Sequence, residues 1–203
     1  MRAIPSIPKT SLKALYVKTQ LILTCMSQIE TLKTILAELS KDYIAQRFKP
    51  LLEADISGYL YHLWISKLNI ANKLHLDTRI CAVPDQRFDF VIGEINYNAQ
   101  RPCIKPELVI EVKLFPFRMT PQQHRVHYLH VIEDDIPKLA RLKEPLDDRY
   151  ALLFDEVRYL EGFDRAHDMS RLSRVIKTRD SSDQRIHIIY MKKEETDLEL
   201  KFY

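Results

Sequence analysis

The stretch that decides the fold is Arg87-Phe88-Asp89-Phe90-Val91-Ile92-Gly93, read with Glu107-Leu108-Val109-Ile110-Glu111-Val112-Lys113. Both read as strands, because they are short apolar runs rich in β-branched and aromatic residues. Each also carries charge where a buried strand ordinarily holds none. Asp89 stands at the opening of the first run; Glu111 and Lys113 close the second, two residues apart. Residues at i and i+2 of a strand point to one face, so Glu111 and Lys113 project side by side. Burying a charge costs several kcal/mol unless it is paired or bound to a metal. Two carboxylates and an ammonium converging at strand ends therefore point to a metal site that does chemistry.

An Asp, a gap, then Glu-x-Lys, each set among apolar strand residues, resembles the motif of the PD-(D/E)XK nuclease superfamily, over about residues 51–143. Phe88 stands where that motif has proline. The pair Pro84-Asp85 precedes the expected strand, which leaves Asp89 as the match. The resemblance implies a restriction-endonuclease-like α/β core, a mixed central sheet flanked by helices. It implies a metal-dependent nuclease acting on DNA, with RNA open as an alternative. It further implies Mg²⁺ or Mn²⁺ held by Asp89, Glu111 and the backbone carbonyl of Val112. Lys113 would hold or deprotonate the attacking water, or stabilise the developing charge. A carboxylate on the first core helix belongs to the same pattern, and Glu53 is the candidate ahead of Asp55. Taken singly, these residues have plainer readings: an ion pair at a sheet edge for Asp89, Glu111 and Lys113, and helix-dipole stabilisation for Glu53 and Asp55. A non-catalytic nuclease-fold scaffold, or a nucleic-acid-binding module acting through its N-terminal helices, is the alternative function. An unrelated α/β protein with a chance Glu-x-Lys would place Asp89 and Glu111 far apart.

The rest of the chain narrows the class. Its 203 residues suffice for one full core with a helical appendage. A formal charge of +3 permits a nucleic-acid partner without demanding one. Gly58, Gly93 and Gly162 are the only glycines, which excludes a glycine-rich phosphate loop and a dinucleotide fingerprint. Cys25, Cys81 and Cys103 are odd in number and form no CxxC, so a reduced, cytoplasmic protein is expected. The N-terminal residues show neither a signal-peptide core nor a membrane span, and no membrane partner is expected.

Residues 11–48 read as one or two helices with Leu12, Leu15, Leu21, Leu23, Ile29, Leu32, Ile35 and Leu36 recurring at helical spacing. This defines a helical N-terminal extension, 1–48, before an α/β domain, 49–203. The stripe must be buried on the chain's own core, on a second copy or on another protein. A helix over 51–68 follows, in which Tyr59, Tyr61 and Trp64 serve packing. Strands are expected over 75–83, 88–93 and 107–115, the last two joined through Asn96, Asn98 and Pro102. Thr120-Pro121 caps a helix to about residue 130. Asp134 or Asp135 would cap a short helix to about 143, Asp164 a helix through 177; strands fill 150–157, 184–191 and 198–202. His124, His127 and His130, three apart, drift around their helix and make a poor zinc set. Gln123 and His127 are candidates for contact with nucleic acid on an otherwise solvated face. Arg171, Arg174 and Lys177, one helical step apart, could track a phosphate backbone or form a basic solvated face.

Overall fold

Apolar runs of five to fourteen residues pair into one sheet in the computed structural model, which describes residues 28–68, 71–142, 146 and 148–203. In chain order the strands are β1 (Leu74–Ile80), β2 (Val83–Asn96), β3 (Cys103–Phe115), β4 (Arg149–Asp155), the two-residue β5 (Phe163–Asp164) and β6 (Met169–Ser170), β7 (Ile186–Lys193) and β8 (Leu198–Phe202). The helices are α1 (Gln28–Ile44), α2 (Glu53–Leu68), α3 (Pro121–His130), α4 (Ile136–Ala140) and α5 (Arg171–Ser182). The main sheet has the order β1-β2-β3-β4-β7-β8, and β5-β6 stands apart as a small hairpin. The pairs β1–β2, β2–β3 and β7–β8 are antiparallel, whereas β3–β4 and β4–β7 are parallel. The mixed sheet flanked by helices is the architecture expected from the sequence.

Two apolar layers sandwich the sheet. Leu108, Ile110, Val112 and Leu114 of β3 join Leu32, Ile35, Leu36 and Leu39 of α1 and Ile56, Leu60 and Trp64 of α2. Val109 and Phe115 of β3 join Tyr128, Ile136 and Val175 on the opposite face. The tyrosines and Trp64 pack as expected, Trp64 against Phe90 at 5.4 Å and Tyr59 against Phe48 at 4.1 Å between ring centres. Residues 1–27, with Leu12, Leu15, Leu21 and Leu23, lie outside the described residues.

Several expectations need correction. Asp135 caps nothing. The helix after α3 continues through a π-helical segment, Val131–Asp135, into α4 without a break, and Asp135 has no capping hydrogen bond. Asp164 does not open α5 either; Ser170 does, accepting from the Ser173 N–H at 3.1 Å. The helix expected from residue 51 begins at Glu53, and Leu52, 65% exposed, precedes it. Pro84 and Asp85 lie inside β2, on an exposed stretch of it, so they do not precede the strand. His124 is buried and bonds the Pro116 carbonyl at 2.9 Å, so the face of α3 is not wholly solvated. Cys81 and Cys103 are joined in a disulfide, Cα atoms 5.1 Å apart. They flank the bridge Ile80↔Ile104 between β1 and β3, a proximity that a spacing of 22 residues does not announce. The expectation of reduced thiols fails for this pair; Cys25 is outside the described residues. Among the described residues no helix is long and apolar enough to cross a membrane.

Candidate active site

The site lies where β2 and β3 part. Their ladder runs from Asn96↔Cys103 to Phe90↔Ile110, and beyond it β3 stays paired only with β4. Backbone N–H groups of β3 on the vacated side need partners. Asp89 Oδ2 accepts from the Val112 N–H at 2.8 Å, and Glu53 Oε1 from the Leu114 N–H at 3.4 Å. Carboxylates thus replace missing ladder bonds. The Val112 carbonyl points to the same side as its N–H, as strand geometry requires. Continuing the register one residue past Phe90↔Ile110 sets Asp89 across from Glu111.

Four carboxylates and two ammonium groups meet there. Glu111, 4% exposed, bonds Lys138 through Oε2 at 2.8 Å. Its other oxygen, Oε1, is buried with no hydrogen-bond partner among the described residues. Lys138 Nζ also sits 4.6 Å from the centre of the Phe88 ring. Lys113 Nζ lies between Glu53 Oε1 at 3.4 Å and Asp135 Oδ2 at 3.3 Å. His127 Nδ1 faces the Leu114 carbonyl at 3.2 Å and Glu53 Oε1 at 3.5 Å.

Burial and the adjacent Asp89 push the Glu111 carboxyl up to about 8, against the opposing pull of Lys138. Burial likewise raises Asp89, opposed by the Val112 N–H, Lys138 and Lys113. Asp135 is raised by its burial as well, despite Lys113. For Lys113, burial favours the neutral amine, but Asp135, Glu53 and Asp89 outweigh it and raise its pKa. Lys113 therefore keeps its charge. Burial lowers the pKa of His127 despite Glu53, so its ring is neutral near pH 7 and Nδ1 carries the hydrogen donated to Leu114.

Among the described residues no group of three or more His, Cys, Asp or Glu side chains is arranged to hold an ion. Mg²⁺ needs no such cage. It is commonly held by one or two carboxylates, with waters and substrate phosphates completing its shell. An orphaned carboxylate oxygen beside a second carboxylate, in a cluster with two more carboxylates than lysines, fits that demand.

The structure brings Asp89, Glu111, Lys113, Glu53 and His127 together. Asp55 is apart; it accepts from the N–H groups of Leu51 and Leu52, both at 2.8 Å, as a turn residue at the start of α2. Gln123 completes a capping box, its Oε1 accepting from the Thr120 N–H at 2.8 Å. Arg171 contacts Tyr159 and Arg174 contacts Asp164, away from the four carboxylates of the site, and Lys177 is exposed. Asp135 and Lys138, one helical step apart, were not anticipated. Their spacing is ordinary on a helix, and the π-helical segment that precedes Lys138 leaves no pattern in apolar periodicity.

No protein-family model matches the chain, and no curated protein does. A comparison with solved structures finds similarity to SfsA of Pyrococcus furiosus in complex with Ca²⁺, at 16% identity and a TM-score of 0.30, covering 72% of this chain and 62% of that one. The chain thus spans less than two thirds of that protein's length. A likeness of this degree bears on neither chemistry nor substrate.

Proposed function

We propose that the protein is a metal-dependent nuclease that hydrolyses phosphodiester bonds, with DNA as its first substrate and RNA as the alternative. The observation that carries this reading is the pairing of half-buried Asp89 with buried Glu111 at the parting of β2 and β3, with Glu111 Oε1 unpartnered among the described residues. Asp89, Glu111 and the Val112 carbonyl would hold Mg²⁺ or Mn²⁺. When bound, such an ion polarises the scissile phosphate and activates water. Lys113, charged and clamped by Glu53 and Asp135, is placed to stabilise negative charge developing on the phosphate; its raised pKa disfavours the base role. Lys138 bonds Glu111 in the metal-free protein and would be released toward the phosphate once a cation takes its place on the ionised carboxylate.

The test is cleavage of single- and double-stranded DNA and RNA by purified protein with Mg²⁺ or Mn²⁺. Activity should vanish with chelator. Asp89→Ala and Glu111→Ala should each lower it at least about 10²-fold while the fold persists, as for loss of other transition-state contacts. Wild-type protein that cleaves none of these, or activity that survives Glu111→Ala, would replace this reading with that of a non-catalytic scaffold.

A further inference from the structure

Between α3, the β5–β6 hairpin and the first turn of α5 lies an open cleft of about 640 Å³. Small-ligand sites span roughly 300–1,000 Å³. Four arginines line it, Arg125, Arg165, Arg171 and Arg174, against two carboxylates, Asp164 and Glu133.

The walls are built by internal bonds. Asp164 accepts from Tyr128 Oη at 2.9 Å and Arg174 Nη1 at 3.0 Å. The Arg171 guanidinium sits 4.1 Å from the centre of the Tyr159 ring and donates to the Tyr159 carbonyl at 2.9 Å. Arg174 is therefore spent on Asp164, and Arg171 is fixed over an aromatic ring. Arg125 and Arg165 are exposed and make no ion pair among the described residues. Phe163, 56% exposed, adds an apolar face.

This asymmetry selects a ligand. A phosphomonoester carries about −1.5 to −2 charge at pH 7 and three acceptor oxygens. Two free guanidinium forks match it, each able to bind two oxygens. Bare phosphate would use the arginines but leave Phe163 unmatched. A nucleobase has π-faces that stack on an aromatic ring or on a guanidinium plane. We propose that this cleft binds a nucleotide bearing a terminal phosphate, with the phosphate on Arg125 and Arg165 and the base against Phe163 and the Arg171 guanidinium. The assignment rests on the nuclease reading for its choice of nucleic acid as ligand. It deepens that reading, because Tyr128 of the cleft and His127 of the carboxylate site are neighbours on α3. A strand whose phosphorylated end sits in the cleft is thereby held one helix away from Asp89 and Glu111.

The test is fluorescence anisotropy of the full chain in chelator, where no cleavage occurs. The probes are short single-stranded DNAs ending in 5′-phosphate, 3′-phosphate or hydroxyl groups only. At least one phosphorylated strand should bind about tenfold tighter than the hydroxyl-ended one, a difference of about 1.4 kcal/mol. Arg125→Ala with Arg165→Ala should erase that preference without shifting the melting temperature, since both side chains are exposed. Glu111→Ala should keep it. Competition by adenosine 5′-monophosphate would assign the cleft to nucleotides in general; its failure to compete, with the preference intact, would assign it to strand ends. Equal affinity for phosphorylated and hydroxyl ends overturns the proposal. So does a preference that survives the double substitution, or full displacement by inorganic phosphate at the concentration of the mononucleotide. A preserved preference in a protein that cleaves nothing would leave the cleft standing and remove only the nuclease.

Discussion

A carboxylate with one oxygen on Lys138 and the other buried without a partner among the described residues is costly to keep ionised. Glu111 accordingly holds its proton up to about pH 8 in the metal-free fold, against an ordinary 4.5. The folded state then binds more protons than the unfolded chain between those values, so this group's contribution to stability is lost as pH rises through that window. In chelator, Glu111→Gln, which cannot ionise, should show a smaller fall in melting temperature between about pH 5 and 8 than the wild type. Parallel profiles for the two proteins would refute the assignment. At Lys113, neighbouring carboxylates set the role. Lys113→Ala should cut turnover about 10²–10³-fold, with Lys113→Arg restoring part of it by keeping the charge. Full activity in the alanine variant would exclude Lys113 from the chemistry. Glu111 and Lys113 were legible in the sequence because strand periodicity places them on one face, and Asp89 because it matches the Asp of the pattern that the chain resembles. Asp135 and Lys138 were not, because Asp135 reads as a helix cap and a lysine one helical step further on carries no signal of its own.

Between elements, the ladder of β2 and β3 controls where the site opens. Its register shifts between Ile92 and Gly93. There a Cβ would come within 2.3 Å of the Lys105 carbonyl oxygen and 2.9 Å of Pro106 Cα, both backbone atoms that cannot swing aside. Gly93→Ala should therefore cost at least about 2 kcal/mol in denaturant unfolding, a loss in the range of strained backbone sites. A change under about 0.5 kcal/mol would mean that the strands absorb the methyl group by a small slip, as mild surface substitutions are absorbed. The existence of the six main strands was readable from β-branched and aromatic runs; their order in the sheet was not. Boundaries were less so, for local reasons. Asp164 has the residue type of a cap, but its carboxylate is taken by Tyr128 and Arg174. The π-helical segment leaves the apolar periodicity of its helix almost unchanged, so nothing in the pattern marks it.

At the scale of the molecule, α1 sits in the main core, with Leu32, Leu36 and Leu39 wholly buried and Ile35 1% exposed. Each such side chain contributes about 1.5–3 kcal/mol, and four of them rival a total stability of about 5–15 kcal/mol. Deleting residues 1–48 should therefore unfold or aggregate the protein, as read by a melting curve and size measurement; a folded monomer after truncation would contradict this. The α/β class was legible because alternating helical and strand periodicities leave few architectures. The Cys81–Cys103 link was not, because its geometry depends on β1 reaching β3 across the sheet edge. All of these levels converge on one claim, that Asp89 and Glu111 share a divalent cation. The measurement that tests it most directly is calorimetric titration of Mn²⁺ into the intact protein and into Asp89→Ala and Glu111→Ala. One ion should bind the wild type, and either substitution should abolish or severely weaken that binding while the fold persists. Absence of binding to the wild type, or affinity unchanged in both variants, would contradict the account.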